Sequence, residues 1–359
     1  MSKNESQDPD PFIAATKPCL TSLEEGKRYF WCTCGRSKMQ PFCDGSHAGT
    51  SFRPLKFVAE KTEEVLLCAC KHTRSAPYCD GAHNNLQDTY EEASAEEIAA
   101  MGDAKLIERV ASHSGKAMLD GGAYVLSPDP SLDEHKGTLG WQTLIGARDG
   151  AKHLSLLRLT ADTGTSPWMR YENSDTVMFV VSGVGSIDIE GQKFTVGPET
   201  GIFVQAGEAF CLHADEPVTI MATICPQSEN PSWPDGPDGT FNAAFAERRV
   251  GVDHDKAEIM ADRFFQILVD EQAGSKEITQ FIGEVPLSRA AFHRHLYEEA
   301  IVILSGEGMM WTEKCRAPVS PGDIIFLSRR QGHSLECTDA RGLRLMGAFY
   351  PSGSPAINY

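Results

Sequence analysis

The chain has 359 residues, which is enough for two or three domains, and its 41% hydrophobic content is sufficient for ordinary buried cores. Its formal charge of -17 argues against a nucleic-acid partner and against an anionic membrane surface, because phosphate groups would be repelled across most of the protein. We therefore expect a globular protein with neither kind of partner.

Residues 1–26 are polar and contain proline, which predicts a flexible tail. They lack the basic and apolar regions of a secretory signal, and no run of about 18 apolar residues follows in the chain. The predicted location is therefore cytoplasmic, where the eleven cysteines would stay reduced.

Residues 27–90 contain six of the eleven cysteines, in two copies of one pattern at a constant offset of 36 residues. The first copy reads WCTCGRSKMQPFCDGSH and the second reads LCACKHTRSAPYCDGAH. The candidate ligands are Cys32, Cys34, Cys43 and His47 in the first copy, and Cys68, Cys70, Cys79 and His83 in the second. Three thiolates and one imidazole can hold zinc, although the paired CxxC of zinc ribbons is absent from both copies.

Both copies resemble the CDGSH family of iron-sulfur proteins, whose name is spelled by Cys43 to His47. The resemblance implies two 2Fe-2S clusters, each held by three cysteines and one histidine, in an internal pseudo-dimer. Replacing one thiolate by a neutral imidazole raises the reduction potential, which suits electron delivery; a structural or iron-storing cluster is the alternative. We expect strands at 27–31, 51–59 and 64–67, and helix caps at Asp44 and Asp80.

Residues 91–139 predict a helical connector. Ser94 and Glu97 form a capping box, and the amphipathic pattern continues to about Val110. The remainder predicts loop, in which His113 and His135 have no spaced partners and are expected to be ordinary surface residues.

Short apolar runs separated by Gly, Pro and Asp fill residues 140–228 and 263–359. They flank a linker, 229–262, in which we expect a helix to about Ala261. The two sets align at an offset of 123 residues, which places Ser182 and Gly183 on Ser305 and Gly306. This pattern predicts a mainly β protein with two β-sandwiches or barrels.

The second set carries a candidate metal site. His293 and His295 are two residues apart, so both imidazoles leave the same face of a strand; Glu299 follows, and His333 ends the run PGDIIFLSRRQGH. Three imidazoles and one carboxylate can hold a first-row transition metal and leave positions open for substrate or dioxygen. The pattern resembles the cupin family, which implies a metal inside a small β-barrel, although cupins often have Pro near Arg329.

The offset also predicts that the first barrel binds no metal. The expected role is structural, to support the other barrel or complete its mouth, and the alternative is a second pocket for substrate or effector, because barrel mouths favour small ligands. Its residues at the four ligand positions are Arg170, Glu172, Thr176 and Phe210. His213 lies three residues beyond the last of these, and could supply an imidazole only through a register shift. In the second barrel, the expected substrate neighbours are Tyr297, Met309, Trp311 and Phe326.

The first functional hypothesis is a non-haem Fe(II) oxygenase or oxidase of a small organic molecule, in which His293, His295, His333 and Glu299 hold the mononuclear metal. The two clusters would reduce it, and an external reductase or ferredoxin would reduce them, since no dinucleotide-binding fingerprint is present. One alternative is a non-redox metal cupin, an isomerase, lyase or binding protein, with the clusters as redox sensor or structural module. Another is an iron-sulfur carrier that docks through its barrels. Homo-oligomer formation stays open.

Overall fold

A computed structural model describes residues 11–15, 18–79, 82, 104–108, 115–260 and 263–356. The chain divides into two compact units, residues 1–91 together with 354–359, and residues 92–353. Across the described ranges, strands dominate, and the regular helices are five single turns of 3-10 type: Asp120–Gly122, Pro130–Leu132, Ala147–Asp149, Ala243–Phe245 and His254–Lys256. The prediction of a mainly β protein is confirmed.

The N-terminal unit contains the strands β1 (Cys19–Leu23), β2 (Arg28–Trp31), β3 (Leu55–Val58) and β4 (Glu63–Leu67). β1 pairs with β4 and β2 pairs with β3, both antiparallel. The last three strands lie where the sequence predicts them. A flexible tail is wrong for residues 19–23, because Leu23 is buried and the whole of β1 is hydrogen-bonded to β4.

The 36-residue repeat extends to the backbone hydrogen bonds of this unit. Each copy is closed by the same two bonds, Cys32 N to Pro41 O and Cys43 N to Phe30 O in the first, and Cys68 N to Pro77 O and Cys79 N to Leu66 O in the second. All four distances lie between 2.8 and 2.9 Å. The two copies therefore share a local fold as well as a sequence pattern.

The second unit begins with three short strands, β5 (Lys105–Leu106), β6 (Lys116–Met118) and β7 (Tyr124–Leu126). The strands of the first barrel follow: β8 (Glu134–Lys136), β9 (Leu139–Ile145), β10 (Ser155–Ala161), β11 (Gly164–Thr165), β12 (Met169–Arg170), β13 (Asp175–Ser182), β14 (Gly185–Ile189), β15 (Gln192–Val196), β16 (Thr200–Val204), β17 (Ala209–Ala214), β18 (Val218–Cys225) and β19 (Arg249–Gly251). The first barrel has a seven-stranded sheet in the order β19-β16-β13-β18-β10-β9-β8. Its opposing sheet has the order β11-β17-β14-β15, with β12 also paired to β17.

The second barrel follows with β20 (Glu258–Met260), β21 (Arg263–Val269), β22 (Thr279–Val285), β23 (His293–Arg294), β24 (Glu298–Ser305), β25 (Gly308–Thr312), β26 (Cys315–Val319), β27 (Ile324–Leu327), β28 (Gly332–Cys337) and β29 (Leu343–Tyr350). Its eight-stranded sheet has the order β20-β21-β22-β29-β24-β27-β7-β6. Its five-stranded sheet has the order β23-β28-β25-β26-β5. Three strands that precede the first barrel, β5, β6 and β7, thus belong to the second.

Two predicted helices are corrected. The connector helix to about Val110 is wrong at residues 105–106, where β5 pairs in parallel with β26; residues 91–103 lie outside the described ranges. The linker helix to Ala261 is also wrong, because residues 243–260 form two 3-10 turns and the edge strands β19 and β20. In both places the hydrogen bonds of a nearby sheet edge take precedence over local helix propensity.

The barrels pack against each other through a shared hydrophobic layer. It contains Phe179 and Phe203 from the first barrel, and Leu268, Val302 and Phe326 from the second. Inside the first barrel, a separate cluster includes residues from both of its sheets, so that its interior is filled by apolar side chains.

Two buried glutamates fix loops of this unit. Glu298 accepts hydrogen bonds from the backbone amides of Lys152, His153 and Leu154 at 2.9 to 3.1 Å, and so ties a first-barrel loop to β24. Glu208 accepts two hydrogen bonds from Arg248, at 2.7 and 2.9 Å, with both side chains buried. Burial alone would raise the pKa of Glu208, but the hydrogen bonds from Arg248 and two backbone amides lower it below its usual value.

Candidate metal and iron-sulfur sites

Three imidazoles meet inside the second barrel. His293 on β23 lies directly opposite His333 on β28, and His295 follows on the same face as His293. The ligand nitrogens of all three lie within 4.8 Å of one another. Within the described part of the chain, no other group of three His, Cys, Asp or Glu side chains comes this close.

Backbone carbonyls orient two of these rings. Nδ1 of His293 lies 2.8 Å from Ala291 O, and Nδ1 of His333 lies 2.9 Å from Gln331 O. A carbonyl can only accept, so each Nδ1 carries the proton and each Nε2 presents a lone pair; that of His293 lies 3.2 Å from Nε2 of His295. Burial lowers the pKa of His293 to about 4 and that of His333 well below its usual value, so both rings are neutral and able to bind a metal.

Glu299 supplies a carboxylate beside the imidazoles. Its Oε2 lies 3.9 Å from Nε2 of His295, and the carboxyl is buried. Among the residues that the structure describes, Oε2 has no hydrogen-bond partner, and burial raises the pKa of the group to about 8. A buried carboxylate oxygen without a donor fits a fourth metal ligand, because a bound cation would satisfy it.

The loop before His333 is tied to the segment that carries His295. Arg330 N donates to His295 O at 2.7 Å, and Arg329 Nε donates to Leu296 O at 2.5 Å. Arg329, which stands near the position where cupins often have proline, therefore has a positioning contact of its own.

Of the four expected substrate neighbours, Tyr297 alone lies beside the histidines. Its ring stacks on His295 at 4.3 Å and on Phe349 at 4.0 Å between centroids. Met309 and Trp311 do not line the space beside His333: Thr312 pairs with His333, so Thr312 and Met310 share its face of the sheet, and Met309 and Trp311 lie on the other face. Phe326 belongs to the layer shared by the two barrels, where it packs on Tyr124.

The sequence could not have placed Trp311, because the contacts that hold it come from distant segments. Its Nε1 donates to Glu336 Oε2 at 2.7 Å, and the guanidinium groups of Arg289 and Arg316 lie 4.4 and 4.7 Å from the ring. Register, which sets the face of every side chain on a strand, depends on these nonlocal pairings.

Among the described residues of the first barrel, no histidine is buried. The alignment of the two barrels is shifted by one residue at β12. Met169, not Arg170, lies opposite Phe210, and both Met169 and Tyr171 are buried in the interior cluster. Arg170 instead forms ion pairs with acidic neighbours, Glu172, Glu190 and Asp238. His213 faces away from that interior, on the side opposite Phe210, where its Nδ1 lies 2.9 Å from Thr165 Oγ1.

In the first cysteine copy, the four candidate ligands form two pairs. The sulfurs of Cys32 and Cys34 are 3.7 Å apart, and Cys43 Sγ lies 3.1 Å from Nδ1 of His47. One tetrahedral zinc would bring all four ligand atoms within about 4 Å of each other. In this structure no three of the four atoms lie within 4.8 Å of one another, so the arrangement does not fit a single zinc. Two pairs fit a cluster with two irons, which has two protein ligands on each iron.

The second copy repeats the cysteine pair. Cys68 and Cys70 have sulfurs 3.4 Å apart, and the hydrogen bond from Cys70 lowers the pKa of the Cys68 thiol. Cys79 is buried to an intermediate degree, whereas Asp80 and His83 lie outside the described residues. All eleven cysteines of the chain lie outside disulfides.

The expected helix cap at Asp44 is a turn. Asp44 accepts hydrogen bonds from the amides of Ser46 at 3.0 Å and Lys38 at 2.9 Å, and the hydrogen bonds from Ser46 and Lys38 hold its pKa well below the usual range. Residues 45–49, which lead to and past His47, form turns without a helix. The turn replaces a helix cap, because the carboxylate of Asp44 accepts hydrogen bonds from backbone amides beside the ligands.

Comparison with known families matches two parts of the chain. Residues 12–48 match the family described as iron-binding zinc finger CDGSH type, and residues 285–349 match the cupin domain. The N-terminal unit therefore carries a CDGSH iron-sulfur domain, and the second barrel is a cupin metal-binding domain. The CDGSH match ends before the second cysteine copy, so a second cluster stays a prediction.

Two curated relatives match a short part of the chain. CDGSH iron-sulfur domain-containing protein 3, mitochondrial, is 54% identical over 54 residues in Mus musculus and 53% identical over 55 residues in Homo sapiens, or 14% and 15% of this chain. The match spans about two fifths of each relative, 39% and 43%. In the described ranges, no helix is long and apolar enough to cross a bilayer.

Solved structures share the fold of the barrels at low identity. Protein Ylba from E. coli has a TM-score of 0.51 at 16% identity, with 66% of this chain and 93% of that chain covered. Oxalate decarboxylase from Bacillus subtilis has a TM-score of 0.52 at 11% identity, with 64% and 76% covered. These likenesses confirm the cupin-like architecture that the sequence predicts.

Proposed function

We propose that this chain, which joins a CDGSH iron-sulfur domain to a cupin metal-binding domain, is an oxidoreductase that oxygenates or oxidises a small organic molecule. His293, His295, His333 and Glu299 would hold a mononuclear Fe(II), and two 2Fe-2S clusters would deliver electrons to it. An external reductase or ferredoxin would reduce the clusters.

The observation that carries the proposal is the convergence of three imidazoles and one buried carboxylate oxygen that lacks a donor among the described residues. Such a set suits iron, manganese, zinc or nickel, so the ligands alone leave the metal open. The iron-sulfur domain in the same polypeptide favours redox chemistry, because the reaction of an isomerase or lyase does not require an electron carrier.

The chain's own residues would fix and shield the metal. The carbonyls of Ala291 and Gln331 hold the tautomers of two rings, so that Nε2 faces the centre. Tyr297 and Phe349 stack behind His295 and keep water from that side. A ferrous ion bound there would supply activation of dioxygen, since four protein ligands leave coordination positions open.

The interior beside the site favours a small substrate with apolar or aromatic surface. Leu335 shares the face of His333 and lies opposite Met310, and both are buried. Phe281 packs on Phe349 at 6.0 Å from the same interior. With such neighbours, specificity would come from shape and from contacts to the metal.

The first test is the content of iron, other metals and acid-labile sulfide in protein purified without oxygen. About five irons and four sulfides per chain would match two clusters and one mononuclear iron. About four irons and four sulfides, with zinc, manganese or nickel in the barrel, would instead favour a non-redox cupin, in which the clusters are a sensor or a structural module.

The second test measures electron delivery. Reduced clusters are mixed with oxygen, and their reoxidation is followed by visible absorbance in the wild type, in His295→Ala and in the control His213→Ala. We expect His295→Ala to slow reoxidation and the control to match the wild type. Equal rates in all three proteins would remove the support for transfer to the barrel metal.

A further inference from the structure

Lys71 is a buried lysine with a backbone conformation that its side chain disfavours. It has φ of 69° and is 7% exposed, and the first cysteine copy has Gly35 at the same place, with φ of 72°. A non-glycine residue in this region costs about 1 kcal/mol or more, so the glycine of the first copy is the easier choice for the backbone. The strain points to a use for the lysine side chain.

The contacts of Lys71 join the two cysteine copies. Its backbone amide donates to Cys68 Sγ at 3.2 Å, and its ammonium donates to Cys68 O at 2.8 Å. The ammonium also lies 4.5 Å from the ring centroid of Trp31, the residue that precedes Cys32. Trp31 Nε1 donates to the same carbonyl, Cys68 O, at 2.8 Å.

Thiols of both copies surround this cation. Burial lowers the pKa of Lys71, while Cys32 of the first copy and Cys68 of the second act on it in the opposite direction. No carboxylate of the described ranges lies within 4 Å of the ammonium. A buried cation needs a nearby anion, and three of the four thiols that act on Lys71, those of Cys32, Cys68 and Cys70, belong to candidate cluster ligands, while Cys19 is the fourth.

We propose that Lys71 sets the reduction potentials of both iron-sulfur sites, as one cation shared between them. The inference rests on the two clusters of the proposed function. A 2Fe-2S core with three thiolates and one neutral imidazole carries one net negative charge when oxidised and two when reduced. A fixed cation therefore stabilises each reduced state more than the oxidised one.

The effect is larger at the second cluster. There Lys71 acts twice, because the amide donates to a ligand sulfur and the ammonium lies on the carbonyl of the same cysteine. The first cluster feels the ammonium alone, across Trp31. The first copy has no counterpart, since Gly35 has no side chain.

The test is an anaerobic redox titration of the fully loaded, full-length protein, followed by visible absorbance and electron paramagnetic resonance. The charge is removed by Lys71→Met and by Lys71→Gly, the second of which restores the residue of the first copy and relieves the strain. Lys71→Arg keeps the charge, and Lys56→Met removes a lysine that is exposed on β3. His47→Cys changes a ligand of the first cluster alone and assigns the two potentials.

Both charge-free variants should lower both potentials. At the second cluster we expect at least a tenfold loss in the one-electron equilibrium constant, which equals about 59 mV, and a smaller loss at the first. Lys71→Arg should recover most of the loss, and Lys56→Met should equal the wild type.

Wild-type potentials in Lys71→Gly, at unchanged iron and sulfide content, would overturn the inference and leave Lys71 as a structural residue. A shift confined to one cluster would overturn the shared role. Wild-type protein without acid-labile sulfide would instead overturn the clusters of the proposed function, so the two failures are distinguishable.

Discussion

Replacing Glu298 by glutamine should weaken the attachment of the first barrel to the metal-binding barrel. Glu298 Oε1 accepts from His153 N and Leu154 N, and Oε2 accepts from Lys152 N. Glutamine has the same shape but one acceptor oxygen. When that oxygen serves the first two amides, the NH2 group faces the third amide, donor against donor.

The size of the effect follows from these three bonds. An amide left without an acceptor in a partly buried place costs about 1–3 kcal/mol, and loss of the charge weakens each of the other two bonds by about 0.5–1 kcal/mol. Glutamine is neutral, so the substitution also removes the cost of burying a charged carboxylate, and this gain offsets part of the lost stability. We expect the free energy of unfolding to fall by about 2–3 kcal/mol.

The assay is urea unfolding followed by tryptophan fluorescence, because four of the five tryptophans lie in residues 92–353. Glu307→Gln is the matched control, since Glu307 is exposed in the turn that follows β24. A Glu298→Gln protein within about 0.5 kcal/mol of the control would refute the reasoning, because surface substitutions fall in that range.

Three further outcomes are expected. Arg248→Met should lower the free energy of unfolding by about 3–5 kcal/mol at neutral pH, because its glutamate partner stays buried without a counter-charge, while exposed Arg249→Met should have little effect. Because that glutamate has a lowered pKa when folded, its contribution is present above its unfolded pKa and lost as pH falls through the folded value, so the Arg248→Met deficit should shrink in acid urea titrations. His333→Ala should abolish metal binding in the barrel, as measured by elemental analysis, while His213→Ala keeps it; retention of metal by the first would count against the site. Cys43→Ser should remove about half of the acid-labile sulfide, and full retention would contradict its assignment as a ligand.

The parts of the molecule that the sequence predicts well depend on local spacing. Two histidines two residues apart must share a strand face, and the structure places His293 and His295 together. The 123-residue offset also holds at Gly183 and Gly306: both have positive φ, at 84° and 80°, and a Cβ at either would collide with a backbone carbonyl of the next connection. The turn therefore requires glycine at both positions.

The parts that the sequence misses depend on partners far along the chain. β6 and β7 are three residues each, too short for a periodic pattern, and they are strands because β27 pairs with β7. The one-residue shift at Met169 arises in a loop whose length differs between the barrels, which a fixed offset cannot detect. The faces of Met309 and Trp311 follow from register with β28.

The early position of β7 has a consequence for synthesis on the ribosome. Leu126 pairs with Ile324, so about 200 residues must be made after β7 before its partner strand exists. At roughly 5–20 residues per second, the apolar strand waits about 10–40 seconds, long enough for the first barrel to fold in between. The second barrel is completed last, because its larger sheet combines β6 and β7 with strands from the C-terminal part of the chain. An expression fragment that begins at residue 140 would lack these two strands. Excision of the second barrel without β6 and β7 should therefore yield aggregating protein.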